Sequence, residues 1–274
     1  NAPLVLANST HTLPFRQNAA PLLLHWNENS LGMSPNALSA AKHAIENCGN
    51  RYPDASVDQF KLKLADHHNV KPEQIIFGNG STEVLQAIAT YAAQNNATMV
   101  EPSPTFGDLN GYCKAENLKV IQVPVEQNFE MDIAALKKQA MAQTGAVLIN
   151  ICNPNNPTGN IVDFTTLFDW INNAPETHLF LLDEAYFDYA QANARYKSGL
   201  ALINQGKDNV VITRTFSKVH GMAGMRMGYG IATENTAHKI KPFAAGFNLS
   251  AAALAAASAA LDDKPFYKKS IEYN

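Results

Sequence analysis

From about residue 73 the chain alternates short apolar runs with stretches of helical character, and that alternation restricts the fold more than any other feature. "QIIF" leads into a helix over 82–94, and "ATMVE" passes through "PSPTFG" into a helix ending near 117. "LKVIQVPV" precedes a helix around 132–142, and "GAVLINI" runs through "CNPNNPTG" into a helix from about 163. "HLFLLDEAY", "NVVITRTF" and "MGYGIAT" follow. Runs rich in Val, Ile and Leu with helices between them predict an α/β fold, a mainly parallel sheet covered by helices on both faces. Such sheets bind ligands beyond the carboxyl ends of their strands. Gly80–Ser81, Asn156, Asp183, Tyr186, Thr215, Ser217 and Lys218 all fall at those ends, so one crevice can collect them.

The 274 residues are 46% hydrophobic and 16% charged, enough for one large domain with a sizeable core. Twenty-one basic residues against 24 acidic ones give a net charge of −3, so no broad basic field favours nucleic acid or an anionic membrane. The longest weakly polar run, "AAALAAASAAL", is too short and too rich in alanine to span a bilayer. Cys48, Cys113 and Cys152 are odd in number and widely spaced, which predicts buried free thiols without disulfide or zinc. His67–His68 reads as a solvated pair rather than as metal ligands, because neighbours on a helix do not share a face. No metal site is expected. The chain opens on Asn1 with no basic stretch before "APLVL". That opening is what remains after a signal peptide or a cut edge of a longer chain. A cytoplasmic location is expected, with export as the alternative. The closing 247–274 reads as one long helix, after which a chain of this kind usually continues into a second domain.

Four groups carry chemistry. "GNGSTEVL" sets two glycines and two hydroxyl residues between a strand and a helix. Gly80 permits close backbone approach, Ser81 or Thr82 can cap the helix, and the free N–H groups favour an anion. An ordinary capped helix start is the competing reading. "CNPNNPTG" stiffens a strand-end loop and holds Asn153 and Asn156 as fixed amides, or is a plain turn. "LFLLDEAYFDY" ends a buried strand in Asp183–Glu184, where a carboxylate needs a cation. That cation is either a ligand's ring nitrogen or a nearby arginine. Finally, Lys218 follows the run Val210–Val211–Ile212 among Thr215, Ser217 and Arg226. It is either a surface lysine on a turn or an amine placed to react. An amine, a strand-end carboxylate, an anion-binding helix start and a proline-locked amide together describe a site for pyridoxal 5′-phosphate.

The stretches "NENSLGMSP", "RYPD", "GNGSTEVL", "PSPTFG", "NPNNPTG", "DEAYFDY" and "TFSKVHGMAGMRMGY" stand in this order from residue 27 to 230. In them the chain resembles the fold-type I pyridoxal-phosphate aminotransferases, specifically the histidinol-phosphate aminotransferase branch. The resemblance implies an enzyme that moves an amino group between an amino acid, or histidinol phosphate, and a 2-oxo acid such as 2-oxoglutarate. It makes Lys218 the Schiff-base lysine and proton carrier, and Asp183 the partner of the pyridine nitrogen. Asn156 and Tyr186 would bond the phenolic oxygen, and Phe106 would stack on the ring. Gly80, Ser81, Thr82, Thr215, Ser217 and Arg226 would hold the phosphate, with Tyr52 reaching in from the second subunit of a homodimer with shared sites. Residues 1–50 would join the small domain and dimer interface, 51–262 would form the cofactor-binding large domain, and 263–274 would begin the small domain. Phe106 replaces a frequent tyrosine, and "NENS" replaces the usual NENP. The family's carboxylate-gripping arginine lies in the small domain, and none of Arg16, Arg51, Arg195 and Arg214 reads as its substitute. A decarboxylase or lyase on the same fold shares every cofactor residue and is the alternative within enzymes. A non-catalytic sensor domain is the alternative outside them. A dinucleotide-dependent dehydrogenase is disfavoured by the missing glycine fingerprint.

Overall fold

The computed structural model describes residues 25–274; the expectations for the opening of the chain, processing before Asn1 among them, lie outside the described residues. Helices α1 (Pro35–Cys48) and α2 (Asp54–His68) precede strand β1 (Ile75–Asn79). Then come α3 (Ser81–Gln94), β2 (Thr98–Ser103), α4 (Asp108–Ala115), β3 (Val120–Pro124), α5 (Ile133–Met141) and β4 (Val147–Cys152). After α6 (Phe164–Asn172) and β5 (His178–Asp183), two one-turn helices, α7 (Phe187–Ala190) and α8 (Leu200–Ile203), lead to β6 (Val210–Thr215). Strand β7 (Met227–Ala232), α9 (Glu234–Ile240), α10 (Ala251–Asp262) and α11 (Lys264–Tyr273) complete the order.

The strands form one seven-stranded sheet, β1-β7-β6-β5-β4-β2-β3. Six strands point the same way, as the α/β pattern predicts; β7 alone is reversed, running antiparallel to both β1 and β6. β4 and β6 are buried along their whole length. The pleat then sends alternate residues to two cores. Phe180, Leu182, Val210 and Ile212 join the core under α1, α2, α6 and α10. Leu181 and Val211 join the one under α3, α4 and α9. Several helix starts carry oxygen caps: Ser34 accepts the Ala37 N–H, Asp132 that of Ala135, and Asp163 that of Thr165.

Several expectations need correcting. The closing segment is two helices, because Asp263 leaves helical geometry and its carboxylate accepts the Phe266 N–H to start α11. Cys113 and Cys152 are buried, but Cys48 is exposed, since it ends α1 past the last buried turn at Ala44. All three thiols are free. His67 is solvated, whereas His68 is buried with its Nε2 2.7 Å from the Tyr229 hydroxyl. Burial, helped by the Arg214 charge, lowers the His68 pKa to about 2. Among the described residues no helix is long and apolar enough to cross a membrane, and no cluster of three His, Cys, Asp or Glu is placed for a metal.

Candidate active site

A cavity of about 740 Å³ opens where β4, β5 and β6 end. Its walls include Ser81, Thr82, Phe106, Asn156, Asp183, Tyr186, Thr215, Ser217, Lys218 and Arg226. The structure thus brings together the cofactor residues expected from the sequence except Gly80, which stands just behind the wall, Asn153 and Tyr52.

Asp183 ends β5 and is only 3% exposed. Its side chain accepts the Ala185 N–H at 3.1 Å. Burial pushes its pKa up to about 6, with the negative charges of Glu184 and Asp108 adding to the rise. Arg214, the neighbouring buried arginine in sequence, lies on the other face of β6 and pairs with Glu184. A buried carboxylate without a cation is costly, so this end of the cavity favours a positively charged group.

Lys218 lies across the cavity. Its Nζ donates to the carbonyls of Trp26 at 2.9 Å and Asn27 at 3.3 Å, and sits 5.4 Å from the centre of the Tyr186 ring. Burial lowers its pKa, opposed by the negative charges of Glu28 and Asp183. The amine is therefore easier to deprotonate than a surface lysine, which suits a nucleophile. The Tyr186 hydroxyl accepts from Asn27 Nδ2 at 3.1 Å, and burial raises its pKa.

The opposite wall is built for an anion. Helix α3 starts at Gly80, which has φ +79° and no side-chain cap. Ser81 and Thr82 do not cap the helix as expected; Glu83 reaches back to the Asn79 N–H at 2.6 Å instead. The hydroxyls of Ser81 and Thr82 and the first-turn N–H groups are left toward the cavity, where the helix dipole is positive. A Cβ at Gly80 would overlap Arg226 Nη2, and one at Gly228 would overlap the Ser81 nitrogen, so the guanidinium and β7 pack directly on this turn. Arg226 itself holds the left-handed conformation, φ 55°, with Nη1 bonded to the Ala223 carbonyl at 3.1 Å. Thr215 Oγ1 donates to Ser217 Oγ at 2.9 Å and accepts the Ser217 N–H at 3.1 Å, which fixes both hydroxyls beside the helix start.

In "CNPNNPTG" the three asparagines part company. Asn153 Oδ1 accepts the Val162 N–H at 3.0 Å, so the expected free amide at this position is turned into the loop. Asn155 donates to the Pro104 carbonyl and the Thr158 hydroxyl and accepts from Thr105 at 2.7 Å. Asn156 faces the cavity, and among the described residues nothing binds its amide. The peptide bonds before Pro154 and Pro157 are cis.

Tyr52 does not reach this cavity in its own chain. It is 76% exposed and pairs with Phe247, 77% exposed, at a ring-centre separation of 5.1 Å. Arg195 lies at the surface near Glu130 and Asp163. Trp26, Asn27 and Glu28 across its mouth, and Cys152 and Asp108 in its walls, line the cavity too, without a role foreseen from the sequence. The "NENS" stretch was the available signal for the first group, since it stands out as polar after "LLL".

The family model for aminotransferase class I and II matches residues 20–274. A histidinol-phosphate aminotransferase of Geobacillus sp. (strain WCH70) is 39% identical over 248 residues, 90% of this chain and 66% of the relative. That of Moorella thermoacetica is 38% identical over 90% of this chain and 63% of its own length. The chain thus spans slightly under two thirds of the length of these curated relatives. The crystal structure of histidinol-phosphate aminotransferase from Sinorhizobium meliloti in complex with pyridoxal-5′-phosphate superposes with a TM-score of 0.83 at 29% identity. That match covers 90% of this chain and 66% of the neighbour.

Proposed function

The chain belongs to the class I and II aminotransferases, and from that premise we propose that it forms the cofactor-binding part of a pyridoxal-phosphate aminotransferase. The reaction moves an amino group from an amino acid, or histidinol phosphate, to a 2-oxo acid such as 2-oxoglutarate. One observation carries the reading: the buried, uncompensated carboxylate of Asp183 shares a cavity with the amine of Lys218 and with an anion cradle at the start of α3. The residues fit the cofactor. Asp183 lacks a cation that a protonated ring nitrogen would provide, and the cradle of N–H groups, hydroxyls and Arg226 suits a phosphate.

When bound, pyridoxal phosphate supplies an aldehyde that links to amines and a protonated ring that draws electrons from them. The chain's own residues do the rest. Lys218 would hold the aldehyde through Nζ, and its amine, made easier to deprotonate by burial, would serve as the base for the donor's α-proton. Asp183 keeps the ring nitrogen protonated. Asn156 Nδ2 and the Tyr186 hydroxyl would donate to the ring oxygen, and Phe106 would cover the ring. Gly80, Ser81, Thr82, Thr215, Ser217 and Arg226 hold the phosphate.

Tyr52 completes that phosphate site from a second copy in a homodimer, a role supported by its exposure beside Phe247 and its distance from its own cavity. In this reading 51–262 is the cofactor domain, 1–50 belongs with the interface and small domain, and 263–274 leads into the small domain. Free thiols at Cys48, Cys113 and Cys152 support a cytoplasmic location.

The test is a half-reaction. Cofactor-loaded protein mixed with one amino donor and no acceptor should lose its bound-cofactor absorbance and release one 2-oxo product per site. Histidinol phosphate and glutamate are the first donors to try. Release of carbon dioxide with the amine retained on the product would move the assignment to a decarboxylase.

A further inference from the structure

Two carboxylates stand side by side after β5, and only one of them has a cation. Glu184 Oε2 accepts from Arg214 Nε at 3.0 Å, Arg214 Nη2 at 2.9 Å and the Ser198 hydroxyl at 2.8 Å, while Oε1 accepts the Gly199 N–H at 2.7 Å. Arg214 is gripped further: its guanidinium lies 3.6 Å from the centre of the Phe187 ring, and Nη1 is 3.3 Å from His68 Nδ1. The two side chains are 4% and 2% exposed.

Strand geometry puts this pair behind the cavity. Successive residues point to opposite faces. Asp183 registers with Thr213, so Asp183, Thr213 and Thr215 share one face, and Glu184 and Arg214 share the other. The pair therefore ties the ends of β5 and β6 together at the level from which Asp183 and the Thr215–Ser217–Lys218 turn project. A buried ion pair is on its own a poor source of stability, because desolvation offsets the attraction. What this one does is geometric. It fixes the spacing of two strand ends, and it neutralises Arg214 on the face away from the cavity.

We propose that Glu184 and Arg214 are positioning residues for the cofactor cavity, setting the separation of Asp183 from Lys218. The proposal rests on the pyridoxal-phosphate reading above. It is tested by titrating pyridoxal 5′-phosphate into wild type, Arg214→Lys and the neutral double variant Glu184→Gln/Arg214→Met, with thermal melts in parallel. Asp183→Asn serves as the spectral reference for a ring nitrogen without its carboxylate. The double variant is expected to fold, to bind the cofactor on the order of tenfold to a hundredfold more weakly, and to show a bound-cofactor spectrum displaced toward that of Asp183→Asn. Arg214→Lys, which keeps the charge and loses the planar fork, should fall between. A folded double variant with affinity within twofold of wild type and an unchanged spectrum would overturn the proposal, leaving the pair a packing feature. If the double variant does not fold, Arg214→Lys decides on the same two readouts. Wild type that binds no cofactor would overturn the cofactor reading and this inference with it, whereas a binding wild type with indifferent variants overturns this inference alone.

Discussion

Asp183 allows a test that needs no turnover. Its carboxyl is held near 6 in the folded chain without ligand, above the usual carboxylate range, so folding favours its protonated form. Stability from this group is then full at low pH and is lost as pH rises from about 4 to about 6, because the folded state binds the proton more tightly. The two-unit shift corresponds to about 3 kcal/mol at neutral pH. Asp188 is raised in the same way, but it is present in both proteins, so comparing wild type with Asp183→Asn isolates the one group. Without cofactor, the Asn variant should be the more stable protein above pH 6 and lose that advantage near pH 4. Superimposable denaturation curves across this range would show that Asp183 carries no such burden. The identity of this residue was legible because a wholly apolar strand ends in it. Its freedom from an arginine was not, since the partner of Arg214 is chosen by pleat and register rather than by sequence spacing. The same applies to Asn153, Asn155 and Asn156, three amides within four positions. Which one faces the ligand depends on Val162 and Thr105, neither of them local to the motif.

The start of α3 is where backbone conformation and ligand chemistry meet. Gly80 has φ 79° and ψ 166°, a region open essentially to glycine alone. Gly80→Ala should cost about 1–3 kcal/mol in strain and push Arg226 off the turn. Cofactor affinity should fall along with stability, both read in a chemical denaturation and cofactor titration series. Wild-type values for both would mean the turn relaxes without cost. At the far end of the chain, Asp263→Ala removes the cap of α11 and should destabilise by about 1 kcal/mol, with no change in cofactor affinity. That break was present in the sequence: "DDKP" places a capping aspartate two residues before a proline, a helix-start signal. The alanine-rich run before it hid the boundary. The strands and most helices were readable from apolar runs and caps. The reversed direction of β7 was not, because only the short link 216–226, without a crossover helix, distinguishes it from its parallel neighbours.

On the scale of the whole molecule, Tyr52 and Phe247 make an exposed aromatic pair on a chain whose own cavity Tyr52 does not reach. The shared-site reading predicts a dimer by light scattering and roughly fivefold weaker cofactor retention in Tyr52→Phe, the loss of about one hydrogen bond. A monomer that holds its cofactor fully would remove this part of the account. Assembly was legible only through family resemblance, since an exposed tyrosine on a loop has no physical signature of its own partner. The central claim is that Lys218 is the amine that anchors pyridoxal phosphate in this cavity. Its most direct test is to load the protein with the cofactor, reduce it with borohydride, digest it and locate the label by mass spectrometry. The label should lie on the peptide containing Lys218 and be absent from Lys218→Ala, whose turnover should also be lost. A label on another lysine, or an alanine variant with near-normal activity, would contradict the account.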